Sequence, residues 1–319
     1  MGDKKSVAIA RVLLPAGMDL LERDFDLRFG GLDSDHGSLL ELVEGAAAIV
    51  ADPTVPVDAG VLDAAGGQLE LVANFAVGFD NVDVAACRDR GVTVTNTPDV
   101  LTNATAELAV GLTYAAARDI TASEVRLRAG DWRGWDPGAH LGLELSGATI
   151  GIAGMGRIGR RYAELMQGLG GDFLYTSRQP KDEVEVELGA RKVELGKLLA
   201  DSDVVSLHLP ATPETTHLID AEALKLMKPT AILVNTGRGP VVDSDALAAA
   251  LEAGEIGGAG LDVYEGEPDM PQRLLDAPNT ALTPHIGSAT TRARDDMARL
   301  VARNVIAVLS GEPPPNPVA

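Results

Sequence analysis

Short apolar runs alternate with helix-like stretches along nearly the whole chain, and this alternation limits the possible folds more than any other feature. The runs are rich in Val, Ile and Ala and form two series. They cover residues 7–14, 46–51, 69–74 and 92–95, and then 148–154, 172–176, 203–209, 230–236, 258–263 and 280–283. Continuous apolar strands separated by helices are typical of parallel sheets covered on both faces. The sequence therefore predicts an α/β protein with two parallel-sheet domains, each Rossmann-like or flavodoxin-like.

Length and charge agree with this prediction and limit the kinds of partner. A chain of 319 residues is long enough for two domains at about 150 residues each. The 47 acidic residues outnumber the 27 basic ones, which gives a net charge of −20 and a pI near 4.6. Such a surface disfavours nucleic acid and anionic membranes. We expect a small molecule as partner.

Cysteine content and the start of the chain bear on the compartment. Cys87 is the one cysteine of the sequence, and the residues after Met1 show no export signal. No apolar run approaches the roughly 20 residues that a membrane helix needs. These features predict a cytoplasmic protein without disulfides.

Two helical stretches fall outside the alternation. Residues 104–120 carry small and apolar residues on one face, and we expect one helix there that connects the two domains. Residues 289–309 have the same periodicity and predict a final helix before a proline-rich tail.

A glycine-rich turn directly follows the apolar run that starts the second series. Gly154, Gly156 and Gly159 have the spacing G-x-G-x-x-G between a predicted strand and a predicted helix. The first glycine permits a tight turn, the second lets backbone approach a pyrophosphate, and the third allows close packing. The amides of the helix start, at Arg157 and Ile158, can bind phosphate. We expect a dinucleotide site here, although a turn without ligand has the same pattern.

The end of the next strand bears on which dinucleotide binds. Sites for NAD usually carry Asp or Glu there, about 20 residues beyond the glycines, whereas this chain has Ser177 and Arg178. A serine can hydrogen-bond a 2′-phosphate and an arginine can pair with it through its planar fork. NADP(H) is therefore the preferred cofactor, with NAD(H) possible. The alternative is that Arg178 is a solvated surface residue, because Asp182 and Glu183 are close in sequence.

Arg238, Glu267 and His285 follow the last three predicted strands. The carboxyl ends of parallel strands line the ligand crevice of open sheets, so these side chains are expected to lie together. Arginine can bind a carboxylate, histidine can give a proton to a carbonyl oxygen, and a nearby carboxylate favours the imidazolium. This set suits reduction of a 2-oxo acid. Singly, each residue could also be structural: an ion-paired arginine, a solvated acid and a hydrogen-bonded loop histidine.

Besides the glycine-rich turn, five segments form a recognisable set: residues 72–83 (VANFAVGFDNVD), 103–107 (NATAE), 235–239 (NTGRG), 260–263 (GLDV) and 284–288 (PHIGS). Their combination carries a resemblance to the D-2-hydroxyacid dehydrogenase family, and more narrowly to its glyoxylate/hydroxypyruvate reductase branch. It covers essentially the whole length, and the combination is more specific than any one motif.

The resemblance implies a role for each matching residue. Arg238 would bind and polarise the substrate, His285 would be the acid/base, and Glu267 would pair with His285. The other substrate-binding residues would be Val77, Gly78, Ser288 and Trp135. The other cofactor-binding residues would be Thr105, Leu209, Pro210, Thr236, Gly237, Asp262 and Gly287.

The resemblance also implies the domain organisation. Residues 1–101 and 289–319 would form a substrate domain, and residues 102–288 a dinucleotide-binding domain, with an active-site cleft between them. Family members are commonly dimers built across the nucleotide domains. Residues 132–137 (WRGWDP) match an arm that reaches the neighbouring subunit, with Trp135 as the contact, although the arm could merely pack the dimer.

We therefore expect an NADPH-preferring reductase that makes glycolate from glyoxylate and D-glycerate from hydroxypyruvate, acts as a homodimer and holds no metal. The alternative enzymes are a short phosphoglycerate dehydrogenase and a broad 2-oxo acid reductase. A phosphorylated substrate would require extra cations near residues 75–80, and that segment has none. A corepressor-like protein that binds dinucleotide without catalysis is the alternative from another class, and it would carry extra partner-binding termini.

Overall fold

A computed structural model describes residues 4–32 and 35–318. Residues 1–3, 33, 34 and 319 belong to the range expected for the substrate domain and lie outside the described residues. The chain divides into two compact units. Unit 1 comprises Met1–Leu101 and Ser288–Ala319, and unit 2 comprises Thr102–Gly287. Ser288 thus falls in unit 1, one residue before the boundary expected from the sequence.

The strands and helices alternate as the sequence predicts. The strands are β1 (Ser6–Ile9), β2 (Asp26–Phe29), β3 (Ala48–Ala51), β4 (Leu71–Asn74), β5 (Thr93–Thr95), β6 (Ile150–Ala153), β7 (Phe173–Thr176), β8 (Arg191–Lys192), β9 (Val204–Leu207), β10 (Ile232–Asn235), β11 (Gly258–Leu261) and β12 (Thr280–Leu282). The helices are α1 (Pro15–Leu21), α2 (His36–Val43), α3 (Ala59–Ala65), α4 (Val84–Asp89), α5 (Thr102–Ala117), α6 (Ile120–Arg128), α7 (Arg157–Met166), α8 (Asp182–Leu188), α9 (Leu195–Asp201), α10 (Ala221–Leu226), α11 (Ser244–Ala253), α12 (Gln272–Asp276) and α13 (Thr291–Leu309).

Unit 1 is a parallel sheet in the order β2-β1-β3-β4-β5. Every residue of β3 and β4 is buried, as expected for strands covered on both faces. Asp58 and Asp83 are the N-cap residues of α3 and α4, and the side chain of each accepts a hydrogen bond from an amide of the first turn. Helix α13 packs against α1, and the two backbones approach so closely that a Cβ at Gly17 would lie 2.5 Å from Ala298 O.

Unit 2 is a parallel sheet in the order β12-β11-β10-β9-β6-β7-β8. The chain runs outward from β6 through β7 to β8 and then returns to β9 on the other side of β6. The strand order therefore reverses between β6 and β9, and ligands of such sheets bind where the carboxyl ends of the strands meet this reversal. The fold class predicted from the sequence, two parallel-sheet α/β domains, is confirmed.

Two details differ from the sequence-based expectation. The apolar runs did not include β2 or β8, because these are edge strands with partly or wholly exposed residues. The single helix expected over residues 104–120 is wrong: α5 ends at Ala117, and α6 begins at Ile120 after Asp119 adopts a left-handed φ of 46°. No helix among residues 4–32 and 35–318 has the length and apolar character to cross a bilayer.

The contact between α1 and α13 gives a stability prediction. We expect Gly17→Ala to destabilise unit 1 by about 1–3 kcal/mol, because the new Cβ must displace a helix backbone. Gly37→Ala on α2 is the control, since its Cβ would meet nothing closer than Asp35 Oδ1 at 3.6 Å. The midpoints of urea unfolding measure both. Equal midpoints for the two variants would contradict the tight packing of α1 on α13.

Candidate active site

The glycine-rich turn after β6 has the geometry that a bound pyrophosphate requires. Gly154 has φ of 97°, and a Cβ there would lie 2.6 Å from His208 O. A Cβ at Gly159 would overlap the carbonyl oxygen of Gly154, so α7 can pack on β6 only with glycine at this position. A Cβ at Gly156 would meet nothing within 4 Å. The space outside Gly156 is therefore open, while the other two glycines serve the fold itself.

Helix α7 begins at Arg157 directly after this open space. Gly156 is its N-cap residue and supplies no side-chain cap. The N–H groups of the first turn, which include that of Ile158, have no partner within a helix, and the helix dipole favours an anion there. The turn and the helix start together fit a dinucleotide pyrophosphate.

Buried polar atoms without partners lie at the ends of the two neighbouring strands. Within the described part of the chain, Thr236 Oγ1 after β10 and His208 Nδ1 after β9 have no hydrogen-bond partner. Buried polar groups are nearly always satisfied, so these atoms fit a ligand that can hydrogen-bond at this edge of the sheet. Burial lowers the pKa of His208 to about 3, so its ring is neutral. Its Nε2 lies 2.9 Å from Ser206 Oγ.

The segments after β9 and β10 also contact each other. A Cβ at Gly237 would lie 2.9 Å from Leu209 O, so the two backbones are adjacent just beyond the strand ends. Leu209 is half-buried and Pro210 is exposed at this edge. The structure of unit 2 thus brings these residues of the expected cofactor site together with the glycine-rich turn.

The loop after β7 carries the residues expected to choose between the two dinucleotides. Ser177 is half-buried and its hydroxyl donates to Gln179 O at 2.5 Å, while Arg178 is exposed. Glu183 pairs with Arg160 at 3.0 Å. The pKa of Glu214 is lowered, mainly by hydrogen bonds from the backbone and from Thr212. The positive charge of Arg178 lowers it further by a smaller amount, so Arg178 interacts with Glu214.

His285 and Glu267 form a hydrogen-bonded pair at the ends of β12 and β11. His285 Nδ1 lies 2.7 Å from Glu267 Oε2, and Glu267 Oε1 accepts the Tyr264 amide at 2.6 Å. With both carboxylate oxygens engaged, the orientation of the glutamate is fixed. The pairing at Nδ1 leaves Nε2 as the ring nitrogen that can exchange a proton with another molecule.

Asp262 holds the backbone that carries His285. The side chain is 1% exposed. Its Oδ1 accepts Thr283 Oγ1 at 2.6 Å and the Ile286 amide at 2.7 Å, and its Oδ2 accepts the Gly287 amide at 2.7 Å. Burial raises the pKa of Asp262, and these three hydrogen bonds oppose the shift. The carboxylate therefore fixes residues 283–287 as a rigid loop.

Thr105 contacts the same loop from helix α5. Its hydroxyl donates to Gly287 O at 3.2 Å, and a Cβ at Gly287 would lie 3.1 Å from Asp262 Oδ2. Thr105, Asp262 and Gly287, three residues of the expected cofactor site, are therefore brought into one cluster beside His285.

Arg238 lies on a turn that side-chain hydrogen bonds define. Asn235 Nδ2 donates to Arg238 O at 2.9 Å, and Asn235 Oδ1 accepts the Gly237 amide at 3.0 Å. A Cβ at Gly239 would overlap the carbonyl group of Tyr264. Glycine at this position thus lets the turn of Arg238 contact the turn that carries Glu267. Arg238 is half-buried, and one guanidinium nitrogen donates to Gly237 O at 2.9 Å.

Sequence reasoning did not assign roles to Tyr264 and His217. The Tyr264 hydroxyl lies 3.0 Å from Leu261 O and 2.8 Å from Thr283 O, which ties the end of β11 to the segment after β12. His217 Nε2 lies 2.8 Å from Glu265 Oε1, and this hydrogen bond raises the pKa of His217. The one signal in the sequence is the clustering of Tyr264 and Glu265 beside Glu267 in a glycine-containing loop.

The expected substrate residues of unit 1 follow β4. Asn96 Nδ2 donates to Val77 O at 2.7 Å, and Asn74 Nδ2 donates to Gly78 O at 2.8 Å. These bonds fix the orientation of the two peptide groups. Ser288 is half-buried, and its carbonyl oxygen accepts Arg294 Nε at 3.3 Å.

Trp135, expected on the arm, is 84% exposed, and its neighbour Trp132 is 62% exposed. Ser123, Arg126, Leu127, Trp132 and His140 are among the residues that line a surface pocket of about 480 Å³ in unit 2. Helix α6 beside it has no buried residue.

Three features of unit 2 are typical of a dinucleotide-binding protein: the reversal of strand order, the open glycine-rich turn and the buried polar atoms at the strand ends. A histidine–carboxylate pair lies at the same edge of the sheet. Residues 110–287 match the family model described as D-isomer specific 2-hydroxyacid dehydrogenase, NAD binding domain. The chain belongs to this family of oxidoreductases, and its cofactor is a nicotinamide dinucleotide.

Full-length relatives agree with the family model. The chain is 46% identical to a glyoxylate reductase of Thermococcus litoralis over 98% of its length and 96% of that protein. It is 48% identical to one of Thermococcus onnurineus over 98% of this chain and 95% of that protein.

Among solved structures, an NADPH-dependent glyoxylate/hydroxypyruvate reductase of Sinorhizobium meliloti, in complex with NADP and malonate, is similar with a TM-score of 0.87. It is 34% identical, and the match covers 99% of this chain and 97% of that one. A protein of Thermus thermophilus is similar with a TM-score of 0.91 and 43% identity over 98% of this chain and 100% of that one.

The two oxygens of Asp262 give a testable prediction. We expect Asp262→Asn to destabilise unit 2 by about 1–3 kcal/mol, because the amide nitrogen cannot accept a hydrogen bond and one loop donor stays unsatisfied. Asp220→Asn is the control, since a single oxygen there accepts both the Glu222 and the Ala223 amides. Thermal unfolding and amide hydrogen exchange at residues 283–287 measure the effect. Unchanged exchange in that loop would contradict the role of Asp262.

Proposed function

We propose that the protein is an NADPH-preferring reductase of small 2-oxo acids, which converts glyoxylate to glycolate and hydroxypyruvate to D-glycerate. The observation that carries this proposal is the 2.7 Å pair of His285 and Glu267 at the sheet edge that carries the dinucleotide turn. The glyoxylate reductases among the relatives support the substrate class.

The acid/base role falls to His285. Because Nδ1 is bonded to Glu267, the proton on Nε2 is the one that His285 gives to the carbonyl oxygen of the 2-oxo acid. Glu267 holds the ring in this orientation and stabilises the imidazolium before transfer. The reaction leaves a neutral histidine and a hydroxyl on the product. When bound, the nicotinamide supplies the hydride.

The substrate carboxylate requires hydrogen-bond donors. Arg238 supplies a planar fork suited to a carboxylate or to the adjacent carbonyl oxygen. The amides of Val77 and Gly78 supply further donors. The peptide groups that carry these amides are held by their carbonyls: Ala76 O accepts the Thr97 amide at 2.8 Å, and Val77 O accepts Asn96 Nδ2 at 2.7 Å. Ser288 and Trp135 complete the proposed substrate residues.

The proposed cofactor residues follow the sheet edge of unit 2. The glycine-rich turn and the start of α7 would hold the pyrophosphate, and Ser177 with Arg178 would hold the 2′-phosphate. The remaining proposed contacts are Thr105, Leu209, Pro210, Thr236, Gly237, Asp262 and Gly287. In this assignment unit 2 is the dinucleotide-binding domain and unit 1 the substrate domain.

The proposed assembly is a homodimer in the cytoplasm. Ile120, Val125 and Leu127 on α6 are each more than half exposed, at 51%, 62% and 58%. Exposed apolar side chains on this helix, beside two exposed tryptophans, favour an interaction surface, and a second copy of the chain would cover it. The free, buried thiol of Cys87 fits a reducing compartment.

The cofactor and substrate assignments make a kinetic prediction. We expect kcat/KM for NADPH to exceed that for NADH at least about tenfold with glyoxylate and hydroxypyruvate, because charge-assisted bonds to the 2′-phosphate are absent with NADH. Initial rates with each cofactor and each acid measure this. Faster turnover with NADH would contradict the role of Arg178. No turnover of either acid would contradict the substrate class and favour a larger 2-oxo acid or a binding protein.

The acid/base assignment makes a second prediction. We expect His285→Gln to lower kcat by about 10²–10⁴-fold, the usual contribution of positioned proton transfer. Glu267→Gln should lower kcat less, because an amide oxygen can still accept from Nδ1 but does not stabilise the imidazolium. His36→Gln, at an exposed histidine on α2, is the control. A His285→Gln variant with wild-type kcat and unchanged cofactor affinity would rule out His285 as the acid.

A further inference from the structure

Tyr175 makes the hydrogen bonds that fix the end of the loop carrying Ser177 and Arg178. It is the third residue of β7, and its side chain is fully buried. Its hydroxyl accepts the Lys181 amide at 2.8 Å and donates to Glu185 Oε1 at 2.6 Å. One rigid buried ring thus fixes the end of the loop, at residue 181, and the first turn of α8.

The same helix is strongly acidic. Asp182, Glu183, Glu185 and Glu187 all lie on α8, within ten residues of Arg178. A carboxylate that approached a bound 2′-phosphate would repel it and would compete for the arginine. A chain that selects NADPH must therefore keep these side chains away from the loop.

Three of these four carboxylates are held by partners on other elements. Glu185 is bonded to Tyr175, and Arg160 on α7 binds Glu183 at 3.0 Å and Glu187 at 2.6 Å. The hydroxyl of Tyr175 is protonated, since burial and the bond to Glu185 both raise its pKa. The contact to Glu185 is thus a hydrogen bond from a neutral donor to an ionised acceptor, which is stronger than a neutral pair.

We infer that Tyr175 and Arg160 are positioning residues for cofactor selectivity: they hold α8 and the loop after β7 so that Ser177 and Arg178, and not a carboxylate of α8, face the 2′-position of the dinucleotide. This inference rests on the NADPH preference proposed above. Neither residue touches the reacting atoms, so the effect is on the affinity ratio of the two cofactors and not on the chemical step.

The variant Tyr175→Phe removes the hydroxyl and keeps the buried ring. It leaves the Lys181 amide and the Glu185 carboxylate without this partner, so the loop and the carboxylate can both move. We expect the Kd of NADPH to rise about fivefold to tenfold, the size of one or two lost hydrogen bonds. The Kd of NADH should change less than about twofold, and kcat at saturating NADPH should stay within about twofold of wild type, because no contact to the reacting atoms is lost. Quenching of protein fluorescence measures both Kd values, and competition by 2′,5′-ADP against 5′-AMP isolates the 2′-phosphate.

Tyr162→Phe is the matched control. Tyr162 is also fully buried in unit 2, and its hydroxyl bonds Thr113 Oγ1 at 2.8 Å on α5. The control loses a buried tyrosine hydroxyl and its hydrogen bond to a neutral partner but leaves the loop after β7 intact. We expect a lower Tm with an unchanged ratio of the two Kd values.

Two variants at partly exposed arginines of α7 keep the inference testable even if Tyr175→Phe does not fold. Arg160→Gln frees Glu183 and Glu187 and also removes a bond to Glu164, whereas Arg161→Gln removes the same charge one residue later and loses a bond to Glu164 alone. We expect Arg160→Gln to weaken binding of 2′,5′-ADP about twofold to threefold more than Arg161→Gln does, because exposed ion pairs contribute little individually.

The outcomes separate this inference from the proposed function. A wild-type protein that binds NADH as tightly as NADPH overturns the cofactor preference and, with it, the role of Tyr175 and Arg160. If the wild-type protein prefers NADPH and the ratio of the two Kd values is unchanged in Tyr175→Phe and Arg160→Gln, the cofactor preference stands and the positioning role of Tyr175 and Arg160 is overturned. A selective loss of NADPH and 2′,5′-ADP affinity in both variants, absent in both controls, supports it.

Discussion

The buried carboxylate of Asp262 is the interaction on which the site in unit 2 depends. A buried charge is costly unless hydrogen bonds satisfy it, and here the loop after β12 supplies two amides and a hydroxyl. The loop in turn gains a fixed shape, and the backbone of His285 is held at a φ of 52°, which residues other than glycine rarely adopt. The orientation of the His285 ring toward Glu267 follows from this backbone. The charge and the loop therefore stabilise each other.

Glycines allow the strand-end segments to come close enough for these contacts. Gly239 brings the turn of Arg238 against Tyr264, and Gly237 brings it against Leu209. The Tyr264 amide donates to Glu267 Oε1, and this hydrogen bond fixes the turn that carries Glu267. The arginine, the glutamate and the histidine thus lie on three successive strand ends whose backbones are in direct contact. Such preorganised polar groups need little rearrangement when charge develops in a reaction.

The sequence predicts the buried strands and the strand-end residues well, because both follow from local patterns. A run such as Ile150–Ala153 must be buried on both faces, and residues after parallel strands share one edge of the sheet. The edge strands β2 and β8 leave no such pattern because they are partly or wholly exposed. The break at Asp119 depends on a left-handed residue with no glycine to signal it. The partners of Tyr264 and Tyr175 are set by packing between distant segments, which a single sequence does not encode in readable form.

The net charge of −20 makes the placement of each cation matter. Both proposed ligands are anions, so the general field of the protein opposes their binding. The structure counters this field locally, with the start of α7 beside the glycine-rich turn and with arginines at strand ends. Elsewhere, arginines pair with acidic side chains, as Arg160 does with Glu183 and Glu187 of α8. Selectivity for an anionic ligand in an acidic protein thus depends as much on holding carboxylates away from the site as on placing a cation within it.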